Sequence, residues 1–355
     1  MQSDCAILVA VCLSVVLVGL FVWNALWVST KPRITYVTYD SARQETMPVD
    51  AVYTWVNPTD TTWQDAYKTH VPARKSAPSK KRFNNNVVTS CDAELQTSVE
   101  LLLKHCPWVR AVYIATMRPQ IPPFLQRTEH GAEWLRTGRV KVVHHDEFFE
   151  DPSVLPVFNS HPIEANLHRI PNLSQQWLYL NDDFMTGKPV EKNMLFYRGK
   201  PVVRGMWMPV YHAGLKIDEH VSSCANNGKA LNHLWYFHND HTTTGVDSDA
   251  VRMAAALVRP MWEHTSRARL RGHDQLVPLG LVENAALDNG LYVCYKNNPL
   301  KTYAMLYSLL PYSKARFKSL LPRYHFFCIN NIPPAKLMQV LDDVRGAFDL
   351  PPLSS

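Results

Sequence analysis

Two adjacent carboxylates follow an apolar segment in the sequence Asn181-Asp182-Asp183. The preceding residues, Gln176–Leu180 (QWLYL), are apolar and aromatic and predict a buried strand. Two neighbouring carboxylates are difficult to ionise together unless a cation or hydrogen-bond donors share their charge. Hard oxygen ligands of this kind suit Mg²⁺ or Mn²⁺ bridging a diphosphate. An Asx-capped turn, which Asn and Asp form readily, explains the same residues without a metal.

The segment 158–170 (FNSHPIEANLHRI) is dense in polar side chains. If a helix begins near Pro162, Glu164 and His168 lie four residues apart on one of its faces. One Glu and one His do not make the HExxH pattern of zinc proteases, so the spacing argues against zinc. A salt-bridged surface helix is the alternative explanation.

The second half of the chain supplies a candidate base and candidate phosphate ligands. His241 closes the polar run His238-Asn239-Asp240-His241, where a histidine can act as a general base near neutral pH. Most histidines in such loops are simply solvated. Arg267, Arg269 and Arg271 alternate with non-acidic residues, and guanidinium groups match phosphate oxygens. Three arginines on an exposed loop are also commonplace.

A scaffold must bring these distant segments together, and the hydrophobic pattern predicts one. The predicted strands are Val49–Val56, Trp108–Thr116, Arg139–Val143, Gln176–Leu180 and Tyr324–Ile329, and the predicted helices are Cys91–His105, Ser248–Trp262, Asp274–Leu291 and Ala335–Phe348. Their alternation predicts an α/β fold with a mostly parallel sheet and flanking helices. In such sheets ligands bind beyond the carboxyl ends of the strands, where Asn57, Thr116 and Asn181-Asp182-Asp183 stand. The stretches 59–82 and 202–236 give no clear pattern beyond one helical turn in the first.

Composition excludes several classes of protein. The chain has 355 residues, of which 46% are hydrophobic and 19% charged, so disorder and coiled coil do not describe it. It contains neither GxGxxG nor GxxxxGK[ST], so the Rossmann and P-loop fingerprints are absent. The net charge of +6 suits an ordinary basic surface or an anionic small substrate. Basic blocks interleaved with aromatics are lacking, which argues against a nucleic-acid partner.

An uncharged run near the N-terminus predicts a membrane anchor. Residues 6–28 carry no charge, and 23 residues make about 34 Å of helix, enough to span a bilayer. We therefore expect a short tail (1–5), a transmembrane helix (6–28), a stem (29–48) and a catalytic domain (49–350). A cleaved signal peptide is the alternative, but it usually has a basic start, which this chain lacks.

Four motifs along the chain keep a recognisable order. The first is Asp50-Ala51-Val52-Tyr53-Thr54-Trp55-Val56, and the fourth is Phe326-Phe327-Cys328-Ile329-Asn330. The second is a long region that contains Glu94-Leu95, Pro107-Trp108-Val109-Arg110, Leu155-Pro156-Val157-Phe158-Asn159-Ser160, Ile163-Glu164, His168-Arg169-Ile170 and Tyr179-Leu180-Asn181-Asp182-Asp183-Phe184. The third contains His241, Asp247, Thr265-Ser266 and Arg271. In regions near 49–75, 83–190, 236–285 and 322–345 the chain resembles the Stealth family of hexose-1-phosphate transferases. That family includes bacterial capsule polymerases and the catalytic subunit of GlcNAc-1-phosphotransferase.

The resemblance implies a nucleotide-sugar transferase-like fold and a particular reaction. An acceptor hydroxyl on a glycoprotein or glycolipid glycan attacks the sugar-bearing phosphorus of a nucleotide-diphosphate sugar, and a nucleoside monophosphate leaves. The resemblance implies Mg²⁺ or Mn²⁺ at Asp182 and Asp183. It assigns catalytic roles to His241, Arg271 and Glu94, and substrate-binding roles to Asp50, Trp55, Asn159, Glu164, His168 and Arg169.

The same resemblance favours a single-pass protein of the Golgi or another secretory-pathway membrane, with its catalytic domain in the lumen. The basic residues Lys31 and Arg33 after the apolar run favour the opposite orientation. The orientation therefore stays open at this point.

The chain also departs from the family pattern. Asn57-Pro58 replaces Asp-Gly after the opening motif, and Asn331 replaces the Asp that usually ends the fourth. Fewer carboxylates leave two alternatives open. One is an ordinary metal-dependent glycosyltransferase that releases a nucleoside diphosphate. The other is an inactive membrane-tethered glycan-binding protein.

Overall fold

A five-stranded sheet forms the centre of the molecule in a computed structural model that describes residues 12–22, 33–70, 86–210, 219–306, 319–330, 332 and 334–353. The strands are β1 (Tyr36–Val37), β2 (Val49–Thr54), β3 (Val112–Thr116), β4 (Val140–His144), β5 (Gln176–Asn181), β6 (Phe184–Thr186), β7 (Phe196–Tyr197), β8 (Lys200–Pro201), β9 (Gly205–Pro209), β10 (Trp235–Asn239), β11 (Thr244–Asp247), β12 (Cys294–Tyr295), β13 (Thr302–Leu306) and β14 (Phe326–Asn330). The central order is β11-β5-β2-β3-β4. β2 to β5 run parallel and β11 joins antiparallel, so the sheet is the mostly parallel one that the alternation predicts.

Helices flank the sheet on both faces. They are Thr61–His70, Asn86–His105, Phe124–Arg127, Glu129–Thr137, Ser160–Asn166, Lys192–Leu195, Glu219–Ala230, Ser248–Leu257, Arg259–Ser266, Pro278–Asp288 and Pro334–Ala347. Successive residues of a strand point to opposite faces. On β5, Trp177 and Tyr179 therefore join one buried cluster, while Leu178 and Leu180 join another. Burial on both faces is what a parallel sheet requires.

A smaller sheet lies beside the central one and extends the core. Its order is β13-β14-β6, with β14 antiparallel to β6 and Cys328 opposite Phe184. The C-terminal helix packs on this sheet through Leu337, Val340 and Leu341. This arrangement brings the fourth sequence motif next to the segment that follows β5.

Several elements differ from their predicted extent. The predicted helix over 248–262 is two helices that meet at Val258, because Pro260 cannot continue the backbone hydrogen bonding of the first. The stretch 202–236, predicted to be irregular, contains β9, the helix Glu219–Ala230 and the start of β10. Short strands and a glycine-containing helix give little periodic signal, which explains why this region was not predicted.

The membrane anchor predicted over 6–28 is not found. The structure describes residues 12–22 of that segment as a helix. In the described part of the chain none of the helices combines the length and hydrophobicity that crossing a bilayer core of about 30 Å needs. The predictions of a transmembrane helix and of a single-pass secretory-pathway membrane protein are therefore wrong on this evidence. Residues 6–11 and 23–28 lie outside the described residues.

Candidate active site

The carboxyl ends of the parallel strands meet at one edge of the central sheet. Thr54 at the end of β2 lies opposite Asn181 at the end of β5. β11 runs the other way, with Thr244 opposite Tyr179, so the loop before it, which carries His241, reaches the same edge. Strand register thus brings the polar residues after β5 next to a histidine some 60 residues further along the chain.

Three carboxylates form an acidic pocket at this edge: Glu94, Asp182 and Asp183. Glu94 lies one helical turn before Ser98, whose hydroxyl donates a hydrogen bond to the backbone carbonyl of Phe184. Burial raises the pKa of Glu94 well above its ordinary value, and the charges of Asp182 and Asp183 raise it further. Burial likewise raises the pKa of Asp183. This shared charge needs a cation or protons to be stable.

His241 and Cys328 border the acidic pocket. The Cys328 thiol donates a hydrogen bond of 3.2 Å to Oδ2 of Asp183. Burial, and then the charge of Asp183, raise the pKa of this thiol, so it is protonated and acts as the donor. The donor atoms of Asp183, His241 and Cys328 all lie within 4.8 Å of one another. The His241 and Phe184 rings pack nearly perpendicular to each other, with their centroids 4.8 Å apart.

The acidic pocket fits a divalent cation. Oδ1 of Asp183 is buried and has no hydrogen-bond partner among the described residues. An unpaired buried carboxylate oxygen is unfavourable, and a bound cation would satisfy it. Asp182 and Glu94 supply further oxygen donors, the ligand type that Mg²⁺ and Mn²⁺ prefer.

A second group of polar residues, the arginine cluster, consists of Arg271, Ser160 and Glu164. Arg271 donates a hydrogen bond of 2.8 Å to the Ser160 hydroxyl. Burial raises the pKa of Glu164 to about 7, while the nearby Arg271 charge opposes that shift. Arg267 pairs with Asp151 instead, so Arg267 and Arg271 have different surroundings.

A chain of hydrogen bonds links the arginine cluster to the end of β5. The Tyr179 hydroxyl lies 3.4 Å from Oε1 of Glu164 and 2.8 Å from Oδ1 of Asn181. The Thr54 hydroxyl also donates to Oδ1 of Asn181 at 3.3 Å. Because Asn181 directly precedes Asp182, this network connects the arginine cluster with the acidic pocket.

Asn159 starts the helix that carries Ser160 and Glu164. Its side chain accepts a hydrogen bond from the backbone N–H of His161, which is the usual role of an N-cap residue. Its amide donates to Oε1 of Gln275 at 2.8 Å. His161 contacts the same Gln275 oxygen at 3.1 Å. These contacts hold the helix start against the segment that carries Arg271.

Asp50 does not reach this edge of the sheet. It lies near the start of β2, opposite Trp177, at the other end of the strands. Arg110 pairs with it at 2.6 Å, and the Ser174 backbone N–H donates to it at 2.8 Å. Trp55, by contrast, directly follows β2 at the site edge, but its side chain is buried in the core.

His168 and Arg169 are not joined to Glu164 on one helical face. The helix ends at Asn166 and continues as a 3-10 turn over Leu167–Arg169. Arg169 is exposed and pairs with Glu150 at 2.7 Å. Burial lowers the pKa of His168 to about 3, so this histidine is neutral.

Two residues near the site carried no sequence signal of their own. Cys328 was visible only as part of the fourth motif, and its contact with Asp183 depends on strand register across 145 positions. Arg204 is buried and donates to the Thr243 carbonyl at 2.6 Å and to the Thr242 hydroxyl at 3.3 Å. It therefore supports the loop that follows His241.

Two protein-family models match parts of the chain, and the candidate site draws residues from one of these parts. Residues 47–69 match Stealth protein conserved region 1, and residues 90–203 match Stealth protein conserved region 2. Over these two regions the chain is similar to the Stealth family. The second match contains the three carboxylates of the acidic pocket, and the two matches overlap the regions near 49–75 and 83–190 where the sequence resembles that family.

Curated relatives of this chain are named as polysaccharide phosphotransferases. An exopolysaccharide phosphotransferase of Streptomyces coelicolor is 35% identical over 210 residues, covering 56% of this chain and 20% of the relative. A capsular polysaccharide phosphotransferase of Haemophilus influenzae is 39% identical over 156 residues, covering 42% of this chain and 38% of the relative. The chain therefore spans between a fifth and two fifths of the length of these two relatives.

Among solved structures, the galactosyltransferase LgtC in complex with donor and acceptor sugar analogues aligns with 12% identity and a TM-score of 0.39. The alignment covers 86% of this chain and 98% of LgtC.

Proposed function

We propose that the chain transfers a hexose-1-phosphate from a nucleotide-diphosphate sugar to a glycan hydroxyl, forming a phosphodiester and releasing a nucleoside monophosphate. The observation that carries this proposal is the acidic pocket beside His241, connected through Tyr179 to the arginine cluster. Such a site can bind a metal-bound diphosphate and an acceptor hydroxyl together. The names of the phosphotransferase relatives support the same reaction.

Phosphoryl transfer depends mainly on alignment and charge neutralisation. We assign His241 as the base that takes the proton of the acceptor hydroxyl as its oxygen bonds to phosphorus. The loop that carries His241 opens to solvent, where an acceptor can approach. Arg271 holds the oxygens of the transferred phosphoryl group, because its guanidinium is always charged and offers several donors. Glu164 orients Arg271 from the buried side.

Asp182 and Asp183 are the residues that would hold Mg²⁺ or Mn²⁺, which when bound neutralises charge on the diphosphate. Glu94 completes the acidic pocket on the helix side and shapes the donor site. Asn159 acts through Gln275, keeping the start of the Ser160 helix in place. We assign Asp50 to the stability of the sheet, because its carboxylate is already paired at the opposite edge.

The identity of the released nucleotide tests the proposal. Purified chain is incubated with Mg²⁺ or Mn²⁺, a panel of UDP- and GDP-sugars, and glycan acceptors. Release of UMP or GMP, with phosphate retained in the glycan product, supports hexose-1-phosphate transfer and names the donor. Release of UDP or GDP would place the chain among the glycosyltransferases. Donor binding without any release, unchanged in Asp182→Ala, would favour an inactive glycan-binding protein.

A further inference from the structure

Three different donor types converge beside the acidic pocket. One oxygen of Asp183, one ring nitrogen of His241 and the sulfur of Cys328 lie within 4.8 Å of one another. Zn²⁺ binds nitrogen and oxygen at about 2.0–2.1 Å and sulfur at about 2.3 Å, so tetrahedral ligands lie roughly 3.3–3.8 Å apart. Movements of about one ångström in these side chains would therefore close the three donors around one ion.

This donor set differs chemically from that of a magnesium site. Mg²⁺ takes oxygen ligands and binds thiolate and imidazole poorly, whereas Zn²⁺ takes both readily. The carboxylates Glu94 and Asp182 offer oxygen alone. His241 and Cys328 offer nitrogen and sulfur. Asp183 therefore belongs to two sets of donors with different metal preferences.

Two further observations indicate that an ion can enter and be held here. His241 is exposed, so the cluster is open to solvent on that side. Oδ1 of Asp183 is buried and has no hydrogen-bond partner in the described part of the chain. The Cys328 thiol donates a hydrogen bond to the other oxygen of this carboxylate, Oδ2. Replacing that proton by a metal ion keeps both groups paired.

We propose that Asp183, His241 and Cys328 form a Zn²⁺-binding site that overlaps the catalytic site and inhibits the enzyme when it is filled. Three protein ligands leave a fourth position for water or a substrate oxygen. Binding displaces the thiol proton of Cys328 to solvent, while His241 binds as neutral imidazole. Zn²⁺ then occupies the ring nitrogen that His241 needs as a base. The inhibition rests on the proposed function, whereas the metal binding does not.

Cobalt absorption tests the metal site without any need for turnover. Co²⁺ replaces Zn²⁺ in such sites, and a thiolate ligand adds a charge-transfer band in the near ultraviolet. The full chain, freed of metal and kept reduced, is titrated with Co²⁺ and then with Zn²⁺. We expect one equivalent to give the band and Zn²⁺ to remove it.

Cysteine variants identify the ligand. Cys328→Ser should lose the charge-transfer band, and His241→Gln should weaken Co²⁺ binding by about tenfold or more. Cys224→Ser is the matched control, because Cys224 lies 3.6 Å from His220 but belongs to no three-donor cluster among the described residues. A band that survives both Cys328→Ser and His241→Gln would overturn the proposal, as would the absence of any band in the wild-type chain.

Inhibition is measured separately, as the ratio of turnover with and without micromolar Zn²⁺ at saturating Mg²⁺. We expect Zn²⁺ to suppress the wild type, and each variant is compared with its own zinc-free rate. Cys328→Ser should resist zinc, whereas Cys224→Ser should remain sensitive. Equal sensitivity of wild type and Cys328→Ser would contradict inhibition through this site. A chain that shows the cobalt band but no transfer would refute the proposed function and leave the metal site standing.

Discussion

At the scale of single residues, Asp183 is the group on which the acidic pocket depends. It contacts Cys328, neighbours His241 and has a buried oxygen without a hydrogen-bond partner in the described structure. Asp183→Asn keeps the shape of the side chain but removes its charge, so metal-dependent turnover should fall by at least about 10–100-fold. Steady-state kinetics across a range of Mg²⁺ concentrations measures this. Asp249→Asn, an exposed residue paired with Arg252, is the control that should stay at the wild-type rate.

Arg271 is the second residue with a specific expected effect. Lysine keeps the positive charge but not the planar set of donors, so Arg271→Lys should lower turnover by roughly 10²–10³-fold. Arg267→Lys, four positions earlier and paired with the exposed side of Asp151, is the matched control. Single-turnover kinetics compares the transfer rates of the two variants, and circular dichroism checks that both are folded. Equal rates for the two variants would remove Arg271 from the proposed mechanism.

Sequence alone could indicate the residues whose local motif is unusual. The run Asn181-Asp182-Asp183 after an apolar strand gave such a signal, and the family resemblance added His241 and Arg271. Cys328 could not be found this way, because its contact with Asp183 exists only through the pairing of β14 with β6. A single cysteine carries no local pattern that would indicate its partner.

At the scale of secondary-structure elements, the two ends of β2 have different roles, one in the candidate site and one in stabilising the sheet. Its carboxyl end faces the site, whereas Asp50 near its start pairs with Arg110 and receives the Ser174 N–H. Asp50→Asn should therefore lower the free energy of unfolding by about 1–3 kcal/mol and leave the KM for the donor unchanged. Urea denaturation measures the first quantity. Asp146→Asn, from the exposed pair with Arg118, should have a much smaller effect. A raised KM with unchanged stability would return Asp50 to a substrate-binding role.

The helix Pro278–Asp288 carries a buried acid whose ionisation should oppose folding. Burial raises the pKa of Glu283 from 4.5 to about 8, with Asn239 donating to it at 3.2 Å and Arg204 opposing the shift. The folded state prefers the neutral acid, so its contribution to stability is complete below pH 4.5 and lost as pH rises through about 8. As the pH rises from 5.5 to 8.5, the unfolding free energy of the wild type should therefore fall by roughly 2–3 kcal/mol more than that of Glu283→Gln.

Denaturation of both proteins at a series of pH values measures this difference. Glu263→Gln, an exposed position on a neighbouring helix, serves as the control and should follow the wild-type curve. Parallel curves for wild type and Glu283→Gln would show that Glu283 is ionised in the folded chain at neutral pH.

The strongly periodic elements could be predicted, and the irregular ones could not. The buried runs that became β2 and β5, and the helix that ends at His105, stood out because their apolar residues repeat at strand or helix spacing. Among the described strands, β9 and β10 pair only with each other. β9 also includes exposed residues such as Met206, so it lacks the alternation that marks a half-buried strand.

At the scale of the whole molecule, the α/β arrangement followed from the order of strand and helix patterns, but hydrophobicity misled at the N-terminus. The apolar run over 6–28 satisfied a length criterion for a membrane span, yet among the described residues none of the helices is long and apolar enough to cross a membrane. The meeting of Asp183, His241 and Cys328 at one sheet edge came instead from topology.

The central claim is that the acceptor oxygen attacks the sugar-bearing phosphorus of the donor. The bond from that phosphorus to the bridging oxygen breaks, and the bridging oxygen leaves with the nucleoside monophosphate. A donor labelled with ³²P at that phosphorus tests this claim directly. We expect the label to appear in the glycan product, in a phosphodiester, and the released nucleoside monophosphate to be unlabelled. Label that leaves with a nucleoside diphosphate, while the glycan gains an unlabelled sugar, would contradict it.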